Sequence, residues 1–70
     1  MTDTLKSLRI QSGFTQKDIA NKLMVTVPTV SSWERGHSAP SPRFIPQLAS
    51  LLKVSSKEIF LLTNNTKVSN

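Results

Sequence analysis

The sequence predicts an all-α protein, a compact single domain of five short helices. Apolar residues recur at intervals of three and four, Ser or Thr capping residues precede these stretches, and Gly or Pro interrupts them. A chain of 70 residues is long enough for one domain and too short for two. We therefore expect residues 1–62 to fold as one unit and the polar residues 63–70 to form a disordered tail.

The first predicted helix has Asp3 or Thr4 as its cap and ends at Gly13. Leu5 and Leu8 are three residues apart and form its buried pair.

The central residues, 15–36, are predicted to form two short helices joined by a tight turn. Thr15 and Asp18 have the spacing of a capping box at the first helix. Thr26 caps the second, and Pro28 falls in its first turn, where the missing amide hydrogen costs little. The predicted buried residues of the two helices are Ile19, Ala20, Leu23, Val30 and Trp33.

The other side of the second of these helices is small and uncharged. A 3.6-residue repeat places Val27, Pro28, Ser31 and Ser32 together on that side. A helix that only covers a protein surface usually shows Lys and Glu there. We therefore expect a partner to approach this face closely.

Two further helices follow a loop that contains two prolines, HSAPSPR. The fourth helix should start near Arg43, because Pro46 is tolerated only in the first turn. Ser55 and Glu58 can form a capping box at the fifth helix. That helix carries four consecutive apolar residues, 59–62, which one small core cannot bury together, so at least one should face a partner.

The charge favours a polyanionic partner. Nine Lys and Arg against four Asp and Glu give a net charge of +5 and a pI near 10.3. Nucleic acid is the preferred partner and a membrane surface the lesser one, and the alternative is a solvated basic surface without a partner.

The composition disfavours an enzyme. Cysteine is absent, which excludes a disulfide, a thiolate nucleophile and a Cys-based zinc site. His37 is the only histidine, and no carboxylates cluster around it in sequence, so we expect no metal, cofactor or catalytic group. Without an apolar run of about 20 residues or a signal-like start, the chain is expected to be soluble and cytoplasmic.

Several of these residues carry a resemblance to a known family. They are Leu8, Arg9, Gly13, Gln16, Ala20, Val30, Ser31, Trp33, Glu34 and Gly36. Their spacing resembles the helix-turn-helix core of phage repressors and Cro proteins, also called XRE-like. The segment PRFIPQLASLLKVS is similar to the N-terminal domains of lambdoid repressors. The resemblance covers about residues 5–62 and implies a lambda-repressor-like fold, with the second and third helices forming the motif. The family usually has Gly where Met24 stands, because the backbone there is left-handed.

The resemblance also implies roles for individual residues. In this fold the second helix of the motif lies in the major groove of DNA. The implied base-facing residues are Thr26, Val27, Pro28, Ser31 and Ser32. The implied phosphate contacts are Gln16, Lys17, Lys22, Arg35, Arg43 and the Phe44 amide. A salt bridge between Arg9 and Glu34 is implied as well, and it would neutralise the one acidic residue beside the DNA face.

The base-facing residues include no Arg, Asn or Gln, the side chains that make bidentate contacts with guanine or adenine. We therefore expect modest direct discrimination, with thymine favoured opposite Val27 and more reliance on DNA shape and bridging water. The alternatives are that Val27 and Pro28 only start the helix and that Gln16 or the lysines are merely exposed polar groups.

These observations predict a sequence-specific transcriptional regulator that binds double-stranded DNA. They favour a repressor. As a homodimer it would occupy a palindromic operator with half-sites about 34 Å apart. Pro40 and Phe60 are the expected dimer contacts, although the same residues could pack against a further domain. The rival hypothesis is a protein-interaction module, such as an antitoxin or adaptor, with the same fold.

Overall fold

The computed structural model describes residues 4–63, and in that range it contains five α-helices and no strand. A 3-10 turn, Pro42–Phe44, directly precedes the fourth helix. The helices are α1 (Leu5–Gln11), α2 (Gln16–Leu23), α3 (Val27–Arg35), α4 (Ile45–Leu52) and α5 (Ser56–Thr63). The all-α prediction is confirmed, and α2 and α3 form the predicted helix-turn-helix.

The first three helices start at threonine caps. The hydroxyls of Thr4, Thr15 and Thr26 each accept the amide N–H three residues later, at 3.0, 3.0 and 3.4 Å. Each bond satisfies an amide that has no partner within its helix. Of the two candidate caps for α1, Thr4 serves, and Asp3 lies outside the described residues.

The turn between α2 and α3 keeps the left-handed backbone that favours glycine, although methionine occupies it. Met24 has φ 61° and ψ 43°, and its side chain is 90% exposed. The following amide, of Val25, donates to the carbonyl of Ala20 at 2.9 Å and closes the helix end. The motif therefore forms with a strained residue at its turn.

The fourth helix starts later than predicted. We expected it near Arg43, but α4 begins at Ile45 because residues 42–44 form the tighter 3-10 turn. In that turn the Phe44 amide donates to the Ser41 carbonyl at 2.8 Å, three residues back. Pro46 remains in the first turn of α4, as the sequence required.

One apolar core joins the helices. In that core α2 packs against α3, α4 packs against α5, and α1 contacts both α3 and α5. The rings of Trp33 and Phe44 lie 5.6 Å apart between centroids, which joins α3 to the turn before α4. The buried apolar residues are Leu5, Leu8, Ile19, Ala20, Leu23, Val30, Trp33, Phe44, Ile45, Leu48, Ala49, Leu52 and Ile59.

The predicted boundary at residue 62 falls within α5, which includes Thr63. The rest of the predicted tail, residues 64–70, lies outside the described residues. No helix within residues 4–63 has the length and apolar character needed to cross a membrane.

Candidate DNA-binding surface

The outward side of α3 carries the predicted base-facing residues. Val27 is 38% exposed, Pro28 is exposed, and Ser31 and Ser32 are half-buried. On the opposite side of the helix Val30 and Trp33 are buried in the core. Because these large apolar side chains fix the rotation of α3, its small and uncharged side faces solvent.

Two hydroxyls on this surface already have partners. The Thr26 oxygen accepts the amide of Thr29 and lies 2.8 Å from the Thr29 hydroxyl, so it serves first as the helix cap. The Ser32 hydroxyl lies 2.8 Å from that of Ser38, in the loop after α3. Sequence reasoning missed Ser38, because no local pattern indicates that this loop returns to the helix.

A hydrogen-bond network around Glu34 joins α3 to the elements that precede it. Arg9 Nε donates to Glu34 Oε2 at 2.5 Å, and Arg9 Nη2 donates to Glu34 Oε1 at 3.3 Å. Arg9 Nη1 donates to the Phe14 carbonyl at 2.9 Å, and Gln16 Nε2 donates to Glu34 Oε1, also at 2.9 Å. We call these four residues the Glu34 network.

The Glu34 network connects three elements. Arg9 belongs to α1, Gln16 is the first residue of α2, and Glu34 lies near the end of α3. The resemblance implied the ion pair, which the structure contains. It did not indicate that Gln16, expected at a phosphate, also binds the same carboxylate.

The predicted cationic contacts are all exposed, and they are Lys17, Lys22, Arg35 and Arg43. The Arg43 guanidinium stacks over the Phe44 ring, 4.9 Å from its centroid, and the Lys22 ammonium lies 5.7 Å from the Phe14 ring centroid. The Phe44 amide differs from these groups. Its hydrogen is bonded to the Ser41 carbonyl in the 3-10 turn, so the predicted phosphate contact of this amide is wrong.

Asp18 adds a negative charge at the start of α2, and its role there is structural. The Thr15 amide donates to its carboxylate at 2.8 Å. That bond, and then the bond with the Thr15 hydroxyl, lowers the pKa of Asp18 below its ordinary value. Asp18 is therefore held ionised as part of the α2 cap.

The two predicted dimer residues border one apolar groove. This groove, which we call the Phe60 groove, has a volume of about 340 Å³ and is lined by Pro40, Pro42, Ile45, Pro46, Ser56 and Phe60. Phe60 is 54% exposed, whereas Pro40 is buried within the chain itself. Of the two, Phe60 offers the larger contact surface.

Within residues 4–63 no group of His, Asp and Glu is arranged to hold a metal ion. His37 is exposed in the loop after α3.

Comparison with known proteins gives the family. A family model described as helix-turn-helix, of the XRE type, matches residues 5–59. An uncharacterized HTH-type transcriptional regulator of Bacillus subtilis strain 168, YqaE, is 30% identical over 67 residues, which are 96% of this chain. The chain spans 58% of the length of that relative. No solved structure gave a significant match. The chain belongs to the XRE family of helix-turn-helix DNA-binding proteins.

Proposed function

We propose that this chain is a sequence-specific transcriptional regulator that binds a palindromic DNA operator as a homodimer in the bacterial cytoplasm. Its simplest action is repression, because a dimer bound at a promoter blocks access to it. The observation that carries the proposal is the outward side of α3, which is small, uncharged and backed by a buried stripe.

Base recognition is assigned to the N-terminal half of α3. The major groove admits an α-helix, and the short side chains of Val27, Pro28, Ser31 and Ser32 allow α3 to approach the base edges closely. Val27 offers apolar contact, which suits a thymine methyl group. The serine hydroxyls donate to or accept from any base, so DNA shape and bridging water supply the rest of the specificity.

Backbone contacts are assigned to the residues around α3. Lys17, Lys22, Arg35 and Arg43 are exposed cations, and Gln16 is a neutral donor at the start of α2. Each cation that meets a phosphate releases condensed counterions. We therefore expect affinity to fall steeply as salt rises.

The homodimer is assigned to the Phe60 groove. Phe60 and Leu61 are both about half exposed and lie at the end of the described chain, away from α3 in sequence. A two-fold axis through this surface would pair identical patches and set the two α3 helices one DNA turn, about 34 Å, apart.

Selection from random DNA duplexes at near-physiological salt tests the proposal. We expect an enriched inverted repeat. Val27→Ala should relax the preference for thymine at one position of each half-site, whereas Lys57→Ala, an exposed change on α5, should leave the enriched sequence unchanged. Absence of any enriched repeat would contradict the proposed operator reading.

A second candidate is a protein-interaction module, such as an antitoxin or adaptor. Phe60, which lines the Phe60 groove, and Leu61, the next residue, are both exposed and favour it, since exposed apolar patches mark contact sites. It predicts weak, sequence-blind DNA binding. Sedimentation of the native chain and of Phe60→Ala separates the candidates: a self-associating chain that Phe60→Ala makes monomeric supports the homodimer, and a monomeric native chain supports the module.

A further inference from the structure

We propose that Glu34 positions Gln16, so that the Gln16 NH2 donates one hydrogen bond to the buried Glu34 carboxylate and the other to a DNA phosphate and thereby bridges the two. The inference deepens the proposed function and rests on it, because the phosphate belongs to bound DNA.

The first half of this bridge is present in the free chain. The Glu34 side chain is only 4% exposed and, as a carboxylate, has only acceptor atoms. The group of Gln16 that faces it must therefore be the NH2, and Nε2 lies 2.9 Å from Glu34 Oε1. The oxygen and the NH2 of a carboxamide have nearly the same shape, so its orientation follows from this hydrogen-bond chemistry.

The second half is an unused donor. A primary amide nitrogen has two hydrogens, and Glu34 takes one of them. Within residues 4–63 the second hydrogen has no protein partner. Because Gln16 is only half-buried, a group from outside can reach it.

The bridge explains how an acidic residue is accommodated beside a DNA surface. A bare carboxylate there would repel phosphate, and Arg9 offsets the Glu34 charge from the α1 side. On the α2 side, Gln16 covers Glu34 Oε1 with a neutral group that still offers a donor. Lys17, the next residue, differs because it is exposed and brings a full charge to the phosphate.

The direct test is the NMR spectrum of the Gln16 side-chain amide in the full chain, assigned by its loss in Gln16→Met. In the free protein we expect one amide proton to be shifted downfield by Glu34, and Glu34→Gln to abolish that shift. Adding a short duplex of arbitrary sequence at low salt should move the second proton downfield and leave the first in place. Two unshifted protons in the free protein, or an unmoved second proton on bound DNA, would overturn the proposal.

Binding measurements test whether Glu34 acts through Gln16. Gln16→Met and Glu34→Gln should each weaken DNA binding about tenfold, the loss of one hydrogen bond to a charged group, and the double variant should weaken it no further. Losses that multiply would show that Glu34 acts independently. The comparison is made at a temperature where circular dichroism shows all variants folded.

Two controls complete the design. Lys17→Met should lower the salt slope by about one, whereas Gln16→Met should leave that slope unchanged. If Glu34→Gln does not fold, Gln16→Lys replaces it: a lysine can donate to both groups, so it should bind better than Gln16→Met. Should the folded native chain bind no duplex at all, the proposed function and the phosphate half of the bridge both fail, while the shift in the free protein still reports the Glu34 contact.

Discussion

Helices α3 and α5 lie on the same core but are attached to it by different means. α3 buries Val30 and Trp33 and is also held by Glu34, whose carboxylate bonds to α1 and α2. α5 buries one side chain completely, Ile59 at 0% exposure, and leaves Phe60 about half exposed. The attachment of α3 is directional, and that of α5 depends mainly on apolar burial.

The difference follows from what each helix is proposed to do. Hydrogen bonds fix distance and angle, and a helix that reads bases needs both to be constant. Apolar burial is tolerant of direction, and an exposed apolar surface can be covered by a second copy. The contrast predicts that removing a polar partner weakens the attachment of α3, and that a large-to-small substitution at Ile59 weakens the attachment of α5.

Removing one partner of the buried ion pair should have the largest effect. Arg9→Ala leaves the Glu34 carboxylate buried without its cation, and we expect it to lower the free energy of unfolding by about 3–5 kcal/mol. Urea denaturation measures this. The double variant Arg9→Met, Glu34→Leu should recover much of the loss, because it leaves no unpaired buried charge. An unchanged midpoint for Arg9→Ala would show that the pair does not hold α3.

Ile59→Ala should have the next largest effect. The cavity it leaves in the core should lower the free energy of unfolding by about 2–5 kcal/mol. Phe60→Ala, one residue along and half exposed, is the matched control, and at concentrations where the chain is monomeric it should change stability far less. A larger loss from Phe60→Ala would contradict the assignment of α5 to the core through Ile59.

Glycine at either of two strained helix ends should stabilise the chain modestly. Met24 ends α2 at φ 61° and Lys53 ends α4 at φ 60°, so at both positions a left-handed backbone destabilises the folded chain. We expect Met24→Gly and Lys53→Gly each to raise the free energy of unfolding by about 0.5–1 kcal/mol, after the greater flexibility of glycine is offset. Thermal melts measure both, and Lys57→Gly, inside α5, should instead destabilise.

The smallest expected effect concerns pH. Hydrogen bonds with Thr15 lower the pKa of Asp18 in the folded chain. The Asp18 carboxylate therefore contributes to the free energy of unfolding above its unfolded pKa of about 3.9, and this contribution is lost as pH falls through the folded pKa. Asp18→Asn should therefore flatten the pH dependence of the free energy of unfolding below about pH 4, because the ionised group that caps α2 is removed. Parallel profiles for the two chains in acid would contradict this.

Local patterns predicted most of the fold. Thr15 and Thr26 were predicted as caps and Thr4 as one of two candidates, because capping depends on residues close in sequence, and the buried stripes followed from helical spacing. The start of α4 was wrong by two residues, because the sequence requires only that Pro46 lie in a first turn. It does not show that Pro42 begins a separate 3-10 turn.

The polar contacts between helices were harder to predict from the sequence. Gln16 and Glu34 are 18 residues apart, and only the packing of α2 on α3 brings them together. The contact between Ser32 and Ser38 depends in the same way on the path of a loop. The burial of Pro40 was missed for that reason as well. The residue types of the candidate surface could be predicted, whereas their internal partners could not.

The tilted contact of Trp33 with Phe44 places an intrinsic fluorophore between α3 and the turn before α4. Trp33 is the only tryptophan, and its buried indole joins α3 to the turn before α4. Intrinsic fluorescence therefore has a single source located at the back of the helix proposed to enter DNA. A red shift of its emission during denaturation would time the release of α3 from the core, without any added dye or engineered label.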